Sequence, residues 1–439
     1  MTRLSVFLLI VILMHQGLLY GQSLTPMKTY YDKYKTLVKE SYFVLDSDSH
    51  RIEGAYTKYF TNGQVAIEGQ FENGKKVGVF TSYYPDGTLQ QTLSFVDGLR
   101  MGPVNVYAEN GQLIQSGQFK LDTLTDTLKL YFPDGKLKSV TTFKKGKPDG
   151  TITEYYASGG LKQVVSYAVG KVNGLTRTYY ESGQLHTEEN FKNGNVSGYF
   201  KTYHPNGQLE TESINKNGSR TGEFKSYSSS GTLLVQGHYL EGKLHGDNKS
   251  WYEDGKIRTE SNYNRGFRSG NNLEYYPNGQ IMSKGNYADE EKTFEIKTFY
   301  EDGSPKSISQ QRMGKPYGEW QEWYPNGQLK FIATYEDGLL VGDRLTYADD
   351  GQLLLQEPFI RNGKAGVETA YYSTGQKKSE QTYQSNKKHG AYSEYYKSGR
   401  IKLSGRYAGN KKAGDWLYFD ESGHKIRTEK YSFGKLVKK

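Results

Sequence analysis

Histidine side chains are the first candidates for chemistry in this sequence. Eight occur in 439 residues. One is His15, near the N-terminus, and the others are His50, His186, His204, His238, His245, His389 and His424. They show no His-Glu-x-x-His or comparable spacing that would bring several ligands together. His238 and His245 are close in sequence, but no third ligand stands near them. We therefore predict no metal site.

Two short motifs resemble ion- and phosphate-binding loops but lack required residues. Asp46-Ser-Asp48-Ser-His50 begins like a calcium loop, yet Arg51 and Thr57 stand where the glycine and the closing glutamate belong. Gly146-Lys147-Pro148 lacks the Gly-Lys-Ser/Thr that opens a helix in a phosphate loop. We interpret the first as a polar turn and predict no cofactor for either.

Carboxylates such as Asp254 and Asp302 stand at turn-like positions along the chain. A facing pair could hydrolyse a glycosidic bond, but the sequence places no two at the required separation. Residues 23–50 are the only mature segment outside the repeats described below, and they are too few for a catalytic domain. We predict no catalytic residue and no enzymatic activity.

The N-terminus resembles a secretory signal peptide. Arg3 precedes the apolar stretch Leu4 to Met14, and small and polar residues follow up to Ser23. This stretch of eleven residues is too short for a membrane span, which needs about 20. We predict a signal peptide at residues 1–22, no transmembrane segment in the mature chain, and export to the periplasm, the cell surface or the outside.

Composition predicts a thin folded object with little deep core. The chain has no cysteine, 51 glycines, 39 tyrosines and a net charge of +9, and only 35% of its residues are apolar. Its mean hydropathy is −0.78. Disorder is excluded by the 14% of aromatic residues. The absence of cysteine excludes disulfides, zinc thiolate sites and thiol nucleophiles.

The sequence repeats every 24 residues without an insertion. Sixteen glycines follow this spacing, and an aromatic residue stands four positions before each. Such periodicity is the signature of a repeat array. The turn glycines are Gly63, Gly87, Gly111, Gly135, Gly159, Gly183, Gly207, Gly231, Gly255, Gly279, Gly303, Gly327, Gly351, Gly375, Gly399 and Gly423. The residues of the aromatic ladder are Tyr59, Tyr83, Tyr107, Tyr131, Tyr155, Tyr179, Tyr203, Tyr227, Trp251, Tyr275, Phe299, Trp323, Tyr347, Tyr371, Tyr395 and Phe419.

Each unit is predicted to form two strands and two turns. Leu329 to Tyr335 alternates with period two, which indicates a half-buried strand. Pro325-Asn326-Gly327 is typical of a tight turn, and Glu336 to Gly342, with a glycine fifteen residues after Gly327, is assigned to the second turn. The predicted fold class is all-β: an elongated, open, solenoid-like meander of about sixteen hairpin repeats and roughly 32 strands. We expect ladder rings of successive hairpins to contact each other.

The repeats resemble a known family. Tyr-Tyr-Pro-Asn-Gly-Gln at 275–280, Trp-Tyr-Pro-Asn-Gly-Gln at 323–328 and the glycines Gly338 and Gly342 look like the bacterial variant of the MORN repeat. The resemblance covers residues 51–439 and leaves 23–50 as a lead-in segment with a first strand. It implies a β-hairpin repeat fold, and similar repeats occur in YwqK-type antitoxin-component proteins.

Two repeats depart from the pattern by losing their second glycines. One has Asp122 and Asp126 in LDTLTD, and the other has Glu290 and Phe294 in ADEEKTF. Both departures place acidic residues in a turn. Two interpretations are open: drift at an exposed turn, or a kink or cation-tolerant docking spot.

Positive charge is concentrated in the last repeats. Residues 375–439 hold sixteen Lys or Arg against six Asp or Glu, a net of +10, and the rest of the chain has a net of −1. This asymmetry predicts an end that binds an acidic partner, and a solubilising cap is the alternative. The candidate residues are Lys377, Lys378, Lys387, Lys388, Lys411, Lys412, Lys438 and Lys439.

Three functional hypotheses follow. The leading one is a non-enzymatic exported scaffold that binds a protein or an anionic glycan of the envelope through its long surface. The second is an antitoxin-like or immunity-like protein that neutralises a toxin by binding it, and the third is a glycan-processing enzyme. Nucleic acid is not expected as a partner of an exported chain. The exposed edge strands at the two ends are candidate sites of self-association.

Overall fold

A computed structural model describes residues 23–438 and contains strands and turns but no helix in that range. The predicted signal peptide, residues 1–22, lies outside the described residues. The chain divides into two compact units, Met1–Asn195 and Val196–Lys439. Consecutive strands pair antiparallel within each unit, so the predicted all-β hairpin meander is confirmed.

The first unit holds the lead-in segment and the first repeats. The lead-in segment contains two complete strands and the start of a third, where one was expected, because a turn held by Asp32 reverses the chain after β1. The strands are β1 (Leu24–Tyr30), β2 (Val38–Leu45), β3 (Asp48–Tyr59), β4 (Val65–Glu72), β5 (Lys75–Tyr83), β6 (Leu89–Val96), β7 (Leu99–Tyr107), β8 (Leu113–Lys120), β9 (Thr123–Tyr131), β10 (Leu137–Lys144), β11 (Lys147–Tyr155), β12 (Leu161–Ala168), β13 (Lys171–Tyr179) and β14 (Leu185–Lys192).

The second unit continues the same alternation of hairpins from β15, whose first residue Asn195 ends the first unit. The strands are β15 (Asn195–Tyr203), β16 (Leu209–Lys216), β17 (Ser219–Tyr227), β18 (Leu233–Leu240), β19 (Lys243–Leu244), β20 (Gly246–Trp251), β21 (Ile257–Asn264), β22 (Phe267–Arg268), β23 (Gly270–Tyr275), β24 (Ile281–Ala288), β25 (Thr293–Phe299), β26 (Pro305–Arg312), β27 (Lys315–Pro316), β28 (Gly318–Trp323), β29 (Leu329–Glu336), β30 (Leu339–Tyr347), β31 (Leu353–Ile360), β32 (Gly363–Lys364), β33 (Gly366–Tyr371), β34 (Lys377–Gln384), β35 (Lys387–Tyr395), β36 (Ile401–Ala408), β37 (Lys411–Phe419), β38 (Lys425–Ser432) and β39 (Lys435–Lys438).

Two loop types alternate along the chain. The Pro-Asn-Gly loop closes with hydrogen bonds from Tyr324 N to Gln328 O, 2.8 Å, and from Gly327 N to Tyr324 O, 2.9 Å. Gly327 has φ 84°, so this is the three-residue hairpin loop with a left-handed glycine. The second loop has two residues, Asp337 and Gly338, both with positive φ, as a type I′ turn requires.

The second turn is shorter than the sequence suggested, because Gly342 is a strand residue. It has φ 70° within β30, where the pairing with β29 shifts register between Ile332 and Thr334. This glycine therefore makes a β-bulge, at which one strand holds extra residues. At Gly246, Gly270, Gly318 and Gly366 the equivalent bulge divides a strand in two, which adds four segments. Together with β1 and β2 of the lead-in segment, this explains why the described range has 39 strand segments instead of about 32.

The two faces of the sheet differ in each unit. One face, the core face, carries buried side chains such as Phe80 and Val104 in the first unit and Trp416 in the second. Some glycines on this face leave room for a ring: a Cβ on Gly69 would lie 2.6 Å from the ring of Phe80. Neighbouring residues along each strand point to the opposite side, the open face.

Candidate interaction surfaces

The repeats are joined by side chains of the Tyr-Pro-Asn-Gly segment. The Asn278 side chain accepts a hydrogen bond from Gln280 N and donates one to Glu301 O of the next repeat, both 2.9 Å. Beside it, the Tyr276 hydroxyl donates to Phe299 O at 2.9 Å. The same tyrosine bond, 2.6–3.1 Å long, is made by Tyr84, Tyr156, Tyr252, Tyr300, Tyr324, Tyr372 and Tyr396. Sequence reasoning missed this second tyrosine, although it also recurs every 24 residues.

The ladder aromatics end their strands on the open face. Trp323, for example, pairs with Leu329 across the three-residue loop. The Tyr275 hydroxyl donates to Glu260 at 2.9 Å and that of Tyr227 donates to Glu212 at 3.1 Å. Burial and the bond to Glu260 both raise the pKa of Tyr275 above its ordinary value.

The aromatic rings that contact each other are not those of the aromatic ladder, for which such contacts were expected. Ladder residues of successive repeats lie two strands apart, about 9.6 Å, which is too far for direct ring contact. On the core face, Phe80 meets Phe71 and Phe95 at centroid distances of 5.5 and 5.2 Å. Near the C-terminus, Trp416 meets Tyr407 at 5.1 Å. Phe71, Phe95 and Tyr407 belong to a second series of aromatic residues that also recurs at a 24-residue spacing. Its members are Phe71, Phe95, Phe119, Phe143, Tyr167, Phe191, Tyr239, Tyr263, Tyr287, Tyr335, Phe359, Tyr383, Tyr407 and Tyr431.

The structure divides the predicted basic end into packed and exposed cations. The Lys412 ammonium lies 4.3 Å from the ring centroid of Trp416, and that of Lys388 lies 5.2 Å from Tyr407. These two lysines are half-buried, and such cation–π contacts stabilise the core face. The two-residue turn before each strand directs both lysines to the core face, and their contact with a partner stays a prediction.

The remaining lysines of the basic end are exposed or outside the described side chains. Lys387 and Lys411 are exposed directly after their two-residue turns. Lys378 is exposed and lies 5.9 Å from the ring centroid of Tyr372, and Lys377 forms an ion pair of 2.5 Å with Glu380. The backbone of Lys438 lies in β39, whereas its side chain and Lys439 are outside the described part of the chain.

A buried ionic network lies between β30 and β33. Glu357 is 5% exposed and accepts hydrogen bonds of 2.8 Å from Arg344 Nε and from Lys364 Nζ. Lys364 also pairs with Glu368. Burial alone would raise the pKa of Glu357, but the hydrogen bonds and charges of Lys364 and Arg344 outweigh it and hold this pKa below its ordinary value. The cations therefore keep a buried carboxylate ionised.

Candidate metal ligands have other roles. Asp46 and Ser47 form the two-residue turn between β2 and β3, so the calcium-like segment is a polar turn. His238 Nδ1 lies 3.3 Å from Asp247 O, and His245 Nδ1 accepts a hydrogen bond from Arg265 N. Within residues 23–438, no group of three or more His, Asp or Glu side chains is placed to hold a metal ion.

The two irregular repeats differ from each other in structure. Asp126 takes the glycine conformation with φ 62°, and the register shift between β8 and β9 remains. Around Phe294, by contrast, β24 and β25 pair without a shift from Ser283 to Ala288. The turn is lengthened instead, with positive φ at Asp289, Glu290 and Glu291. Only the second departure therefore removes a bulge.

No stretch of the residues placed by the structure forms a helix long and apolar enough to cross a lipid bilayer.

The family model described as the MORN repeat variant matches eleven segments, which together cover more than half of the chain: residues 52–73, 76–97, 127–145, 148–168, 172–193, 197–215, 220–241, 244–265, 268–289, 316–337 and 364–385. No curated protein matches. Among solved structures, TcdB2-TccC3 is 12% identical with a TM-score of 0.16, and the match covers 94% of this chain and 24% of that one. TcdB2-TccC3-Cdc42 is 11% identical with a TM-score of 0.11, covering 94% and 31%. This chain thus spans about a quarter to a third of those chains, and such low scores carry no functional argument.

Proposed function

The chain belongs to the MORN repeat variant family, and from this membership we propose that it is a non-enzymatic, exported repeat scaffold that binds a protein or a glycan of the cell envelope. The proposed export rests on Arg3 and the apolar stretch Leu4 to Met14.

The observation that carries the proposal is the distribution of charge at the basic end. Residues 375–439 have a net charge of +10. Part of that charge is used in packing, since Lys388 and Lys412 lie over aromatic rings. Lys378, Lys387 and Lys411 are exposed. These three give the end a cationic surface, which supports binding of an anionic glycan or an acidic protein face.

The proposal is tested by crosslinking capture from an envelope fraction with the full-length mature protein. The test variant is Lys387→Gln with Lys411→Gln. The matched control is Lys147→Gln with Lys171→Gln, because these exposed lysines also follow two-residue turns but lie in the first unit. We expect the wild type and the control to retain the same component, and the test variant to retain several-fold less.

The outcomes separate two questions. Equal capture by the test variant and the control would show that the basic end is not the contact surface. If no component is retained above background by any of the three proteins, the proposed scaffold function is wrong.

A further inference from the structure

The open face of the second unit carries a row of carboxamides and carboxylates, one on each of six neighbouring strands. The row consists of Asp247 on β20, Asn262 on β21, Asn271 on β23, Asn286 on β24, Glu295 on β25 and Gln310 on β26. At about 4.8 Å per strand, six strands extend this polar row over about 24 Å.

Strand register places these side chains side by side. Asp247 pairs with Asn262, Asn271 with Asn286, and Asn286 in turn with Glu295. Glu295 then pairs with Gln310. The step from Asn262 to Asn271 is bridged by a shallow groove of about 240 Å³ that both line together with Asp247.

The irregular repeat completes the polar row. In a regular repeat, the bulge glycine sits between the equivalents of Asn286 and Glu295 and shifts them out of register. Phe294 replaces that glycine, so Asn286 and Glu295 are direct partners. A second groove of about 240 Å³ is lined by these two residues and Gln310. Because the bulge is lost, the polar row continues from β24 to β25 without a shift in register.

Several amides of the polar row are available to a ligand. Asn271 and Asn286 are exposed. Among the residues that the structure describes, their side chains and that of Gln310 have no protein hydrogen-bond partner. The Gln310 amide lies over Gly318, where a Cβ would be 2.5 Å from its Oε1. Each carboxamide offers two N–H donors and one oxygen acceptor.

Both carboxylates of the polar row are held by neighbouring side chains, and one of them is paired with a cation. Glu295 forms an ion pair with Lys297 at 3.0 Å, and Asp247 accepts a hydrogen bond of 2.7 Å from Asn262. Flanking the row, Lys249 pairs with Glu260 at 2.9 Å. The surface is thus dense in donors and acceptors and close to neutral, which disfavours a strongly charged partner.

We propose that the polar row binds one side of a neutral glycan chain laid across strands β20 to β26. Planar carboxamide and carboxylate groups can donate to and accept from adjacent sugar hydroxyls. Two open grooves of about 240 Å³ fall below the roughly 300–1,000 Å³ of enclosed ligand pockets, which favours an extended ligand over a compact one. This proposal rests on the proposed scaffold function and adds to the basic end a second binding surface, whose ligand is neutral.

The test is isothermal titration of the full-length mature protein with dextran, mannan and a soluble β-glucan. Heparin and polylysine are added as charged probes. The test variant is Asn286→Ala with Gln310→Ala. The control is Gln70→Ala with Gln118→Ala, because these residues hold the same repeat position in the first unit. We expect binding of at least one neutral polysaccharide, a Kd about ten-fold weaker in the test variant, and no change in the control.

Either of two results would overturn the proposal: no neutral polysaccharide binds, whether or not a charged probe does, or the test variant binds as the wild type does. If envelope capture persists in either of these cases, the scaffold function stands and the glycan assignment to the polar row fails. If capture also fails, the scaffold function itself is wrong.

Discussion

Replacing Glu357 by glutamine should destabilise the strands around the buried ionic network. The carboxylate is 5% exposed and accepts hydrogen bonds of 2.8 Å from both Arg344 and Lys364. Glutamine keeps the size of the side chain but removes its charge. Arg344 and Lys364 would then face a neutral amide, and Lys364 would keep only its ion pair with Glu368.

The size of the effect depends on how far those cations can reach water. Removing one partner of a fully buried ion pair costs about 3–5 kcal/mol. The side chain of Arg344 is 43% exposed and that of Lys364 is 20% exposed, so part of the charge can be rehydrated. We therefore expect a loss of about 2–3 kcal/mol, which is below that range.

Amide hydrogen exchange on peptides from β30 to β33 measures this loss of stability locally. A local measurement is needed because long repeat arrays do not generally unfold in a single two-state transition. The expected loss corresponds to opening that is about 30- to 160-fold more frequent. The control is Glu322→Gln, whose ion pair with Lys330 is 2.6 Å long, with side chains 36% and 43% exposed. An exposed pair contributes about 0–1 kcal/mol, so the control should change exchange by less than about five-fold.

The loss of stability caused by Glu357→Gln should also depend on pH. The pKa of Glu357 is lowered in the folded protein, so its stabilisation is present above the ordinary carboxyl pKa of about 4.3 and is lost as pH falls through the folded-state value. The difference between the variant and the wild type should be constant from pH 7 to 5 and shrink in stronger acid. Equal exchange of both glutamine variants at pH 7 would refute the reasoning.

Three further predictions concern packing and turns. Gly69→Ala should lower the melting temperature, at a cost of about 1–3 kcal/mol, because the new Cβ would lie 2.6 Å from the ring of Phe80. Tyr276→Phe should lose about 0.5–1.5 kcal/mol and speed amide exchange next to Phe299, since it removes the 2.9 Å bond to that carbonyl; unchanged exchange would show that the bond contributes nothing. Val169→Asn should raise the melting temperature, because a β-branched residue is strained at φ 50° and the valine side chain is 68% exposed; a lower melting temperature would contradict this.

The hairpin repeat was predictable because its signals are local. Asn326-Gly327 identifies the three-residue loop, and the alternation from Leu329 to Tyr335 identifies the strand that follows, observed as β29. The role of Gly342 was not predictable in the same way. A glycine in a turn and a glycine in a bulge cannot be distinguished by sequence alone. Only the pairing with the opposite strand distinguishes them.

The candidate surfaces were harder to predict than the fold. Lys387 and Lys388 are adjacent and chemically identical, yet one is exposed and the other lies over Tyr407. The difference follows from the length of the preceding turn, which sets the face to which each residue points. Asn286 pairs with Glu295 only because the bulge is absent there. Predicting this pair therefore requires the register of β24 and β25, which the structure supplies.

The most direct test of the account is whether the protein binds envelope material without changing it. The full-length mature protein would be incubated with envelope polysaccharide and protein fractions, and the retained and free material would be compared by mass spectrometry. We predict that a component is retained with its mass unchanged, and that the free material is identical to that of a protein-free sample. Appearance of shortened glycans or cleaved proteins in proportion to the protein added would contradict a non-enzymatic scaffold.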